Sequence, residues 1–228
     1  MSESWFLLRS GLGFAAENMA VDEALLEACG SLGRPVLRFY GWREPAATFG
    51  YSQKYAEAAC WTRLRPLIRR PTGGGLVPHG ADWTYSLVFP PSHPWHALKA
   101  VESYRRVHEW LRRSFERLGV ETSLSPRCEA VMPGQCFVGA AQFDLLCGGR
   151  KIAGAAQRRN RFGLLVQGSI QAANLPVPRT AWETAMLEIA PTGSKKTWMK
   201  LEPPAASVRR IAELCRTKYS DPMYNQRR

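Results

Sequence analysis

The chain has 228 residues, 45% hydrophobic and 22% charged, enough for one medium-sized domain with a core that needs no covalent staples. No apolar run approaches the roughly 18 to 20 residues of a membrane helix. Glu3 and Arg9 deny the first residues the layout of a secretory signal, so a cytoplasmic protein with no membrane partner is expected. The formal charge of +12 asks for an anionic partner, and charge alone ranks nucleic acid first. The arginines are nevertheless spread along the chain and form no nucleic-acid module, so nucleic acid is not favoured. The six cysteines are scattered without a C-x-x-C pair, which predicts neither a metal site nor a disulfide framework.

In chain order, AENMAVDEALLEACG has apolar residues at Val21, Ala24, Leu25 and Ala28, a helical spacing that Gly30 is placed to stop. PVLRFYGW and AATFGYSQ read as short strands separated by a turn. LIRRPTGGGLV reads as strand, glycine loop, strand, and DWTYSLVFP as a further strand closed by prolines. The clearest helix lies in HALKAVESYRRVHEWLRRSFERLGV, whose apolar stripe runs from Val101 to Leu118 and ends at Gly119. QFDLLCGGRKIAGAAQRR predicts a hairpin turning at Gly148 and Gly149, and GLLVQGSIQ adds one more strand. AASVRRIAELCRTKY is amphipathic, and the last eight residues are polar enough to fray. Strands in meandering order with a few helices predict an α+β fold with a mainly antiparallel sheet.

Four features stand out chemically. Arg69 and Arg70 precede Gly73, Gly74 and Gly75, which let a backbone turn or approach a ligand closely; alone they fit a plain turn as well as an anion cradle. Cys136 is either one more buried cysteine or a nucleophile, which would need a nearby positive charge to ionise. Lys151 either opens a strand in solvent or faces a ligand across the small residues Ala153, Gly154, Ala155 and Ala156. His79 suits a backbone-bonded structural role and a general base nearly equally.

Taken in order and spacing, LRFYGWREPAATFGYSQ, RRPTGGGLVPHGADWTYSLVF, and GRKIAGAAQRR with LLVQGSI resemble the lipoate–protein ligase and octanoyltransferase family over roughly residues 5 to 175. The resemblance implies a biotin/lipoate protein ligase-like catalytic domain with a central mixed sheet flanked by helices. It implies that Arg70 with Gly73–Gly75 walls the acyl pocket, that Gly154 and Ala155 line it, and that Lys151 polarises the acyl carbonyl. Gly80 stands where the family usually has an acidic residue, and Gln167 where a histidine often precedes Gly-Ser. Cys136-Phe137 lies fifteen positions before Lys151, as in the cysteine-dependent octanoyltransferases, and AQFDLL lacks the Arg-Asn of the ligases. The implied partners are octanoyl-acyl carrier protein and a lipoyl-domain acceptor, with no cofactor; an ATP-dependent ligase using ATP and Mg is the alternative. A non-catalytic basic binding module on the same fold is the second. Residues 1–228 are expected to form a single catalytic domain without the ligases' usual accessory domain.

Overall fold

Val36–Trp42, Trp83–Phe89 and Gly163–Ile170 are buried along their whole length, so they must lie where a sheet is covered on both faces. The protein's structure, a computed structural model, describes residues 3–128, 139–173, 175–189 and 196–227. The chain begins with β1 (Glu3–Gly13), α1 (Ala15–Leu32), β2 (Val36–Trp42), β3 (Ala46–Phe49) and α2 (Tyr55–Trp61). It continues through β4 (Leu67–Arg69), β5 (Val77–His79), β6 (Trp83–Phe89), α3 (Pro94–Ala97) and α4 (Ala100–Glu116). Next come β7 (Ser123–Leu124), β8 (Leu145–Cys147), β9 (Arg150–Asn160), β10 (Gly163–Ile170) and α5 (Arg179–Glu188). Then follow β11 (Lys196–Lys200), α6 (Ala205–Leu214), a π turn at Cys215–Tyr219 and α7 (Pro222–Gln226).

Eight strands form one sheet in the order β11-β1-β2-β6-β10-β9-β8-β7. β1 runs parallel to both β11 and β2, and the remaining pairs are antiparallel, giving the mixed, mainly antiparallel sheet the sequence predicts. A small sheet, β4-β3-β5, stands beside it and carries the glycine loop between β4 and β5. One face of the large sheet packs on α4 and α5 through Phe39, Tyr85, Leu87, Val166, Trp110, Leu111 and Trp182. The other lies under α1, which buries Met19, Ala20, Ala24, Leu25 and Leu26. Among the described residues no helix is long and apolar enough to cross a membrane.

Two expectations are corrected. α1 passes through Gly30 and stops at Gly33, whose φ of 67° lets its N–H return to the Cys29 carbonyl. Gly30 is in open space and needs only helical angles, so a glycine alone did not mark the end. The last residues do not fray, because α7 is anchored. The side chain of Asn225 accepts from the Arg69 N–H at 2.8 Å, and Arg69 donates back to the Asn225 carbonyl at 3.0 Å. Strands β1 and β11 and helices α2 and α5 go beyond the elements predicted.

Candidate active site

A pocket opens between the small sheet and the edge of β9 and β10. It encloses about 470 Å³ of empty space, its open mouth included. Met19, Tyr40 and Trp42 contribute apolar surface, and Arg70, His79 and Lys151 bring positive or titratable groups to the same space. Gly154 and Ala155 also line it, so Arg70, His79, Lys151, Gly154 and Ala155, all named from the sequence, converge there. Gly73, Gly74 and Gly75 stand behind this lining as part of the loop. Cys136 lies outside the described residues.

The glycine loop is placed by close backbone packing. Its Tyr51 side is fixed by the Tyr51 N–H to the Thr72 carbonyl at 2.8 Å, and Arg70 N–H bonds Phe49 O at 3.0 Å. Gly74 has φ of 81°, and its carbonyl sits so near Gly50 that a Cβ there would fall 1.9 Å from it. Gly73, by contrast, faces open space. The Arg70 guanidinium folds back on the loop, donating through Nε to the Gly73 carbonyl at 3.1 Å and through NH1 to Thr48 Oγ1 at 3.3 Å. Arg70 therefore braces the loop while lining the pocket.

His79 is fixed on three sides. Its ring stacks on Trp42 with centroids 3.8 Å apart, Nε2 meets Thr48 Oγ1 at 2.8 Å, and Nδ1 meets Asp82 Oδ2 at 2.8 Å. A carboxylate only accepts, so Nδ1 carries the hydrogen, and in the tautomer whose Nε2 is bare that nitrogen accepts from the Thr48 hydroxyl. Burial works to raise the Asp82 carboxyl, but attraction to His79 and hydrogen bonds from His79, Ser169 and the Gly80 N–H outweigh it and hold it below its ordinary range. Asp82 thus places a carboxylate beside His79. Gly80 N–H donates to it at 3.0 Å.

Gln167 ties three walls together. Its Nε2 donates to Asp22 Oδ2 at 2.7 Å, and its Oε1 accepts from Thr72 Oγ1 at 2.7 Å. Asp22 also takes Arg38 NH1 at 2.7 Å and Ser86 Oγ at 2.7 Å, all within the core beneath the pocket.

Lys151 reaches Asp144 with Nζ–Oδ2 of 2.7 Å, the two side chains 9% and 0% exposed. Asp144 also accepts from the Tyr104 hydroxyl and, at 2.6 Å, from the Ala141 N–H. The room that the small residue at 154 leaves is taken by this pair: a Cβ on Gly154 would meet Lys151 Cε at 3.0 Å and Asp144 Oδ1 at 3.1 Å. Thr48, Asp82, Tyr104 and Asp144 were not singled out from the sequence. Asp82 had the one legible signal, a carboxylate three residues after His79.

Residues 15–218 match the family described as the lipoyl protein ligase A/B catalytic domain. The chain belongs to that family. Relatives within it include octanoyltransferase LipM of Kyrpidia tusciae, 36% identical over 181 residues, and that of Carboxydothermus hydrogenoformans, 37% identical over 174. Each alignment covers 74% of this chain, and the chain spans 66% and 65% of those relatives' length. Protein Ta0514 of T. acidophilum with bound lipoic acid has the same fold, with a TM-score of 0.78 at 19% identity over 99% of this chain and 100% of that one. A lipoate-protein ligase A bound with ATP gives 0.79 at 20% identity, covering 99% of each chain. The family fold is therefore the one described above, including the segments beyond residue 175.

Proposed function

We propose that the protein moves an octanoyl group from acyl carrier protein, through a thioester on Cys136, to a lysine of a lipoyl domain. The observation that carries this reading is the Lys151 ammonium held at the wall of the pocket by Asp144. In sequence, Lys151 follows the Cys136-Phe137 pair by fifteen positions. The similarity to octanoyltransferases LipM supports the choice of acyl group and of transferase over ligase.

The chemistry balances without a nucleotide. The Cys136 thiolate attacks the carrier thioester, a new thioester forms, and the carrier leaves as a thiolate that takes up a proton. Lys151 donates to the carbonyl oxygen as negative charge develops on it. The acceptor amine then attacks the enzyme thioester, an amide forms and Cys136 leaves. The proton shed by the amine passes to the Thr48 hydroxyl while that hydroxyl's own proton goes to His79 Nε2, with Asp82 steadying the imidazolium. Arg158 and Arg227 lie over the Tyr51 ring at 5.0 and 4.5 Å, beside the glycine loop, a basic surface suited to acidic carrier and acceptor domains.

Intact-mass and peptide mass spectrometry after mixing with octanoyl-acyl carrier protein test the reading. The expected result is one octanoyl adduct on Cys136 that disappears when a lipoyl domain is added. Product formation without that adduct would remove Cys136 as the nucleophile, and an acyl-adenylate formed from free octanoate with ATP and Mg would replace this mechanism with the ligase one.

A further inference from the structure

Lys151 and Gly154 are three residues apart, an odd spacing that in a regular strand puts side chains on opposite faces. The pairing of β8 with β9 shifts here: Leu146 faces Lys151 and Leu145 faces Ala153, so two residues on β8 oppose three on β9. This irregularity resets the alternation, and the Lys151 side chain folds back over Gly154. The carboxylate that meets it is presented by an unusual turn. Phe143 has φ of 70°, a left-handed conformation rare without glycine, and the Asp144 N–H closes the turn on the Ala141 carbonyl at 3.0 Å. From the opposite side, Tyr104 of α4 donates to Asp144 Oδ1 while its oxygen accepts the Ala155 N–H at 3.3 Å. Contact with the His108 ring, tilted at 34° with centroids 4.1 Å apart, fixes the Tyr104 ring. Three separate elements thus converge on one ammonium.

We infer that Asp144 and Tyr104 are positioning residues for Lys151, setting where its ammonium stands in the pocket and hence where a developing oxyanion is met. This rests on the carbonyl-polarising part proposed for Lys151. Both carboxylate oxygens are engaged on fixed partners, so the ammonium has one defined seat rather than a range of rotamers. Among the other titratable groups facing it, Tyr85, Tyr104 and His108 keep one form near neutrality. Burial holds the Tyr85 and Tyr104 hydroxyls above their ordinary range, and it pushes His108 down to about 4. Arg70 and His79 face the ammonium across the pocket.

A double-mutant cycle with Lys151→Met separates positioning from structure. Asp144→Asn and Tyr104→Phe should each slow single-turnover acyl uptake by about ten- to a hundredfold, the loss typical when groups orienting metal ligands are removed. Donor KM should stay within about twofold, and in the Lys151→Met background both effects should vanish. Equal losses with and without Lys151 would make the two residues structural and overturn the inference. A readout independent of acyl transfer is labelling of Lys151 by an amine-acylating reagent at fixed pH, read by peptide mass spectrometry. It should accelerate severalfold in both variants, and an unchanged rate overturns the inference even if activity falls. If the wild type takes up no acyl group from any donor, the proposed function fails and labelling alone decides the positioning. Tyr104→Phe removes a single oxygen and keeps the ring, so it serves where Asp144→Asn does not fold.

Discussion

The two faces of the large sheet are buried to a similar degree by opposite means. Beneath α1, Arg38 is 1% exposed and spends its guanidinium on Asp22, Ser10 and Asn18, while Asp22 goes on to Ser86, Tyr40 and Gln167. Beneath α4 and α5 the fill is aromatic: Trp182 stacks on Trp83 at 5.6 Å and meets Phe39 edge to face at 5.3 Å, its indole N–H having no partner among the described residues. Apolar burial is non-directional and tolerates small shifts. A polar network works only with its atoms in register. The pocket is built on the polar face, where Gln167 links the network to Thr72 and so to the glycine loop. The comparison teaches that the polar face seats the glycine-loop wall of the site, while the aromatic face supplies the apolar fill and reaches the site through Tyr104 of α4.

The sharpest way to break that division is to cut each side once. Asp22→Ala strands the Arg38 charge in the core and should cost about 3–5 kcal/mol in urea unfolding, with pocket function lost. Trp182→Phe removes no hydrogen bond and should cost about 1–3 kcal/mol while leaving kcat/KM within about threefold. Equal losses of activity per kcal/mol in the two variants would erase the distinction.

The aromatic face also carries buried titratable groups, and one of them, His108, sharpens the contrast. His108 is fully buried, and desolvation brings it from 6.5 to about 4. The unfolded chain then binds the proton first, so its neutral form supports folding above pH 6.5 and that support is lost as pH falls toward 4. The loss amounts to about 3 kcal/mol at most. In His108→Leu the fall in stability across this window should be shallower, as measured by denaturation at pH 7, 5.5 and 4. A curve parallel to the wild type would assign the acid sensitivity to the other face.

The smallest expected effects compare two glycines at the join of the polar face and the loop. Gly50→Ala must push the Gly74 carbonyl away, costing about 1–3 kcal/mol and displacing the pocket wall. Gly73→Ala enters open space and should leave thermal stability and kcat/KM nearly unchanged. Reversal of that order would remove backbone packing as the reason for the glycine loop.

Much of the architecture was legible because it rests on local patterns. The strand of Trp83–Phe89, the stripe of α4 and the hairpin at Gly148-Gly149 all follow from periodicity and turn chemistry. The convergence of Arg70, His79 and Lys151 was anticipated through family resemblance rather than from the residues themselves. What stayed hidden depends on long-range partners. Asp144 is an ordinary aspartate in AQFDLL until the shift in β9 and Tyr104 of α4 bring it to Lys151. β1, with Arg9 interrupting its apolar run, becomes a strand because β2 and β11 flank it. The final helix looked unanchored because Asn225 finds its partner at Arg69, far away in the chain.

That last contact also bears on the order in which the molecule can be assembled. Arg69 and Asn225 lie 156 positions apart, and β4, which Arg69 ends, feeds directly into the glycine loop. β1 likewise has to wait for β11, pairing Glu3 with Lys196. Such distant pairings are slow to form, and the entropy of closing so long a loop is lost before any local contact compensates it. During synthesis, at about 5–20 residues per second, the strand leading into the pocket wall stands unclasped until nearly all of these residues have emerged. Ligand-binding competence is therefore a late event in the life of each chain, and intermediates released earlier would expose the edge of β1 to the wrong neighbour.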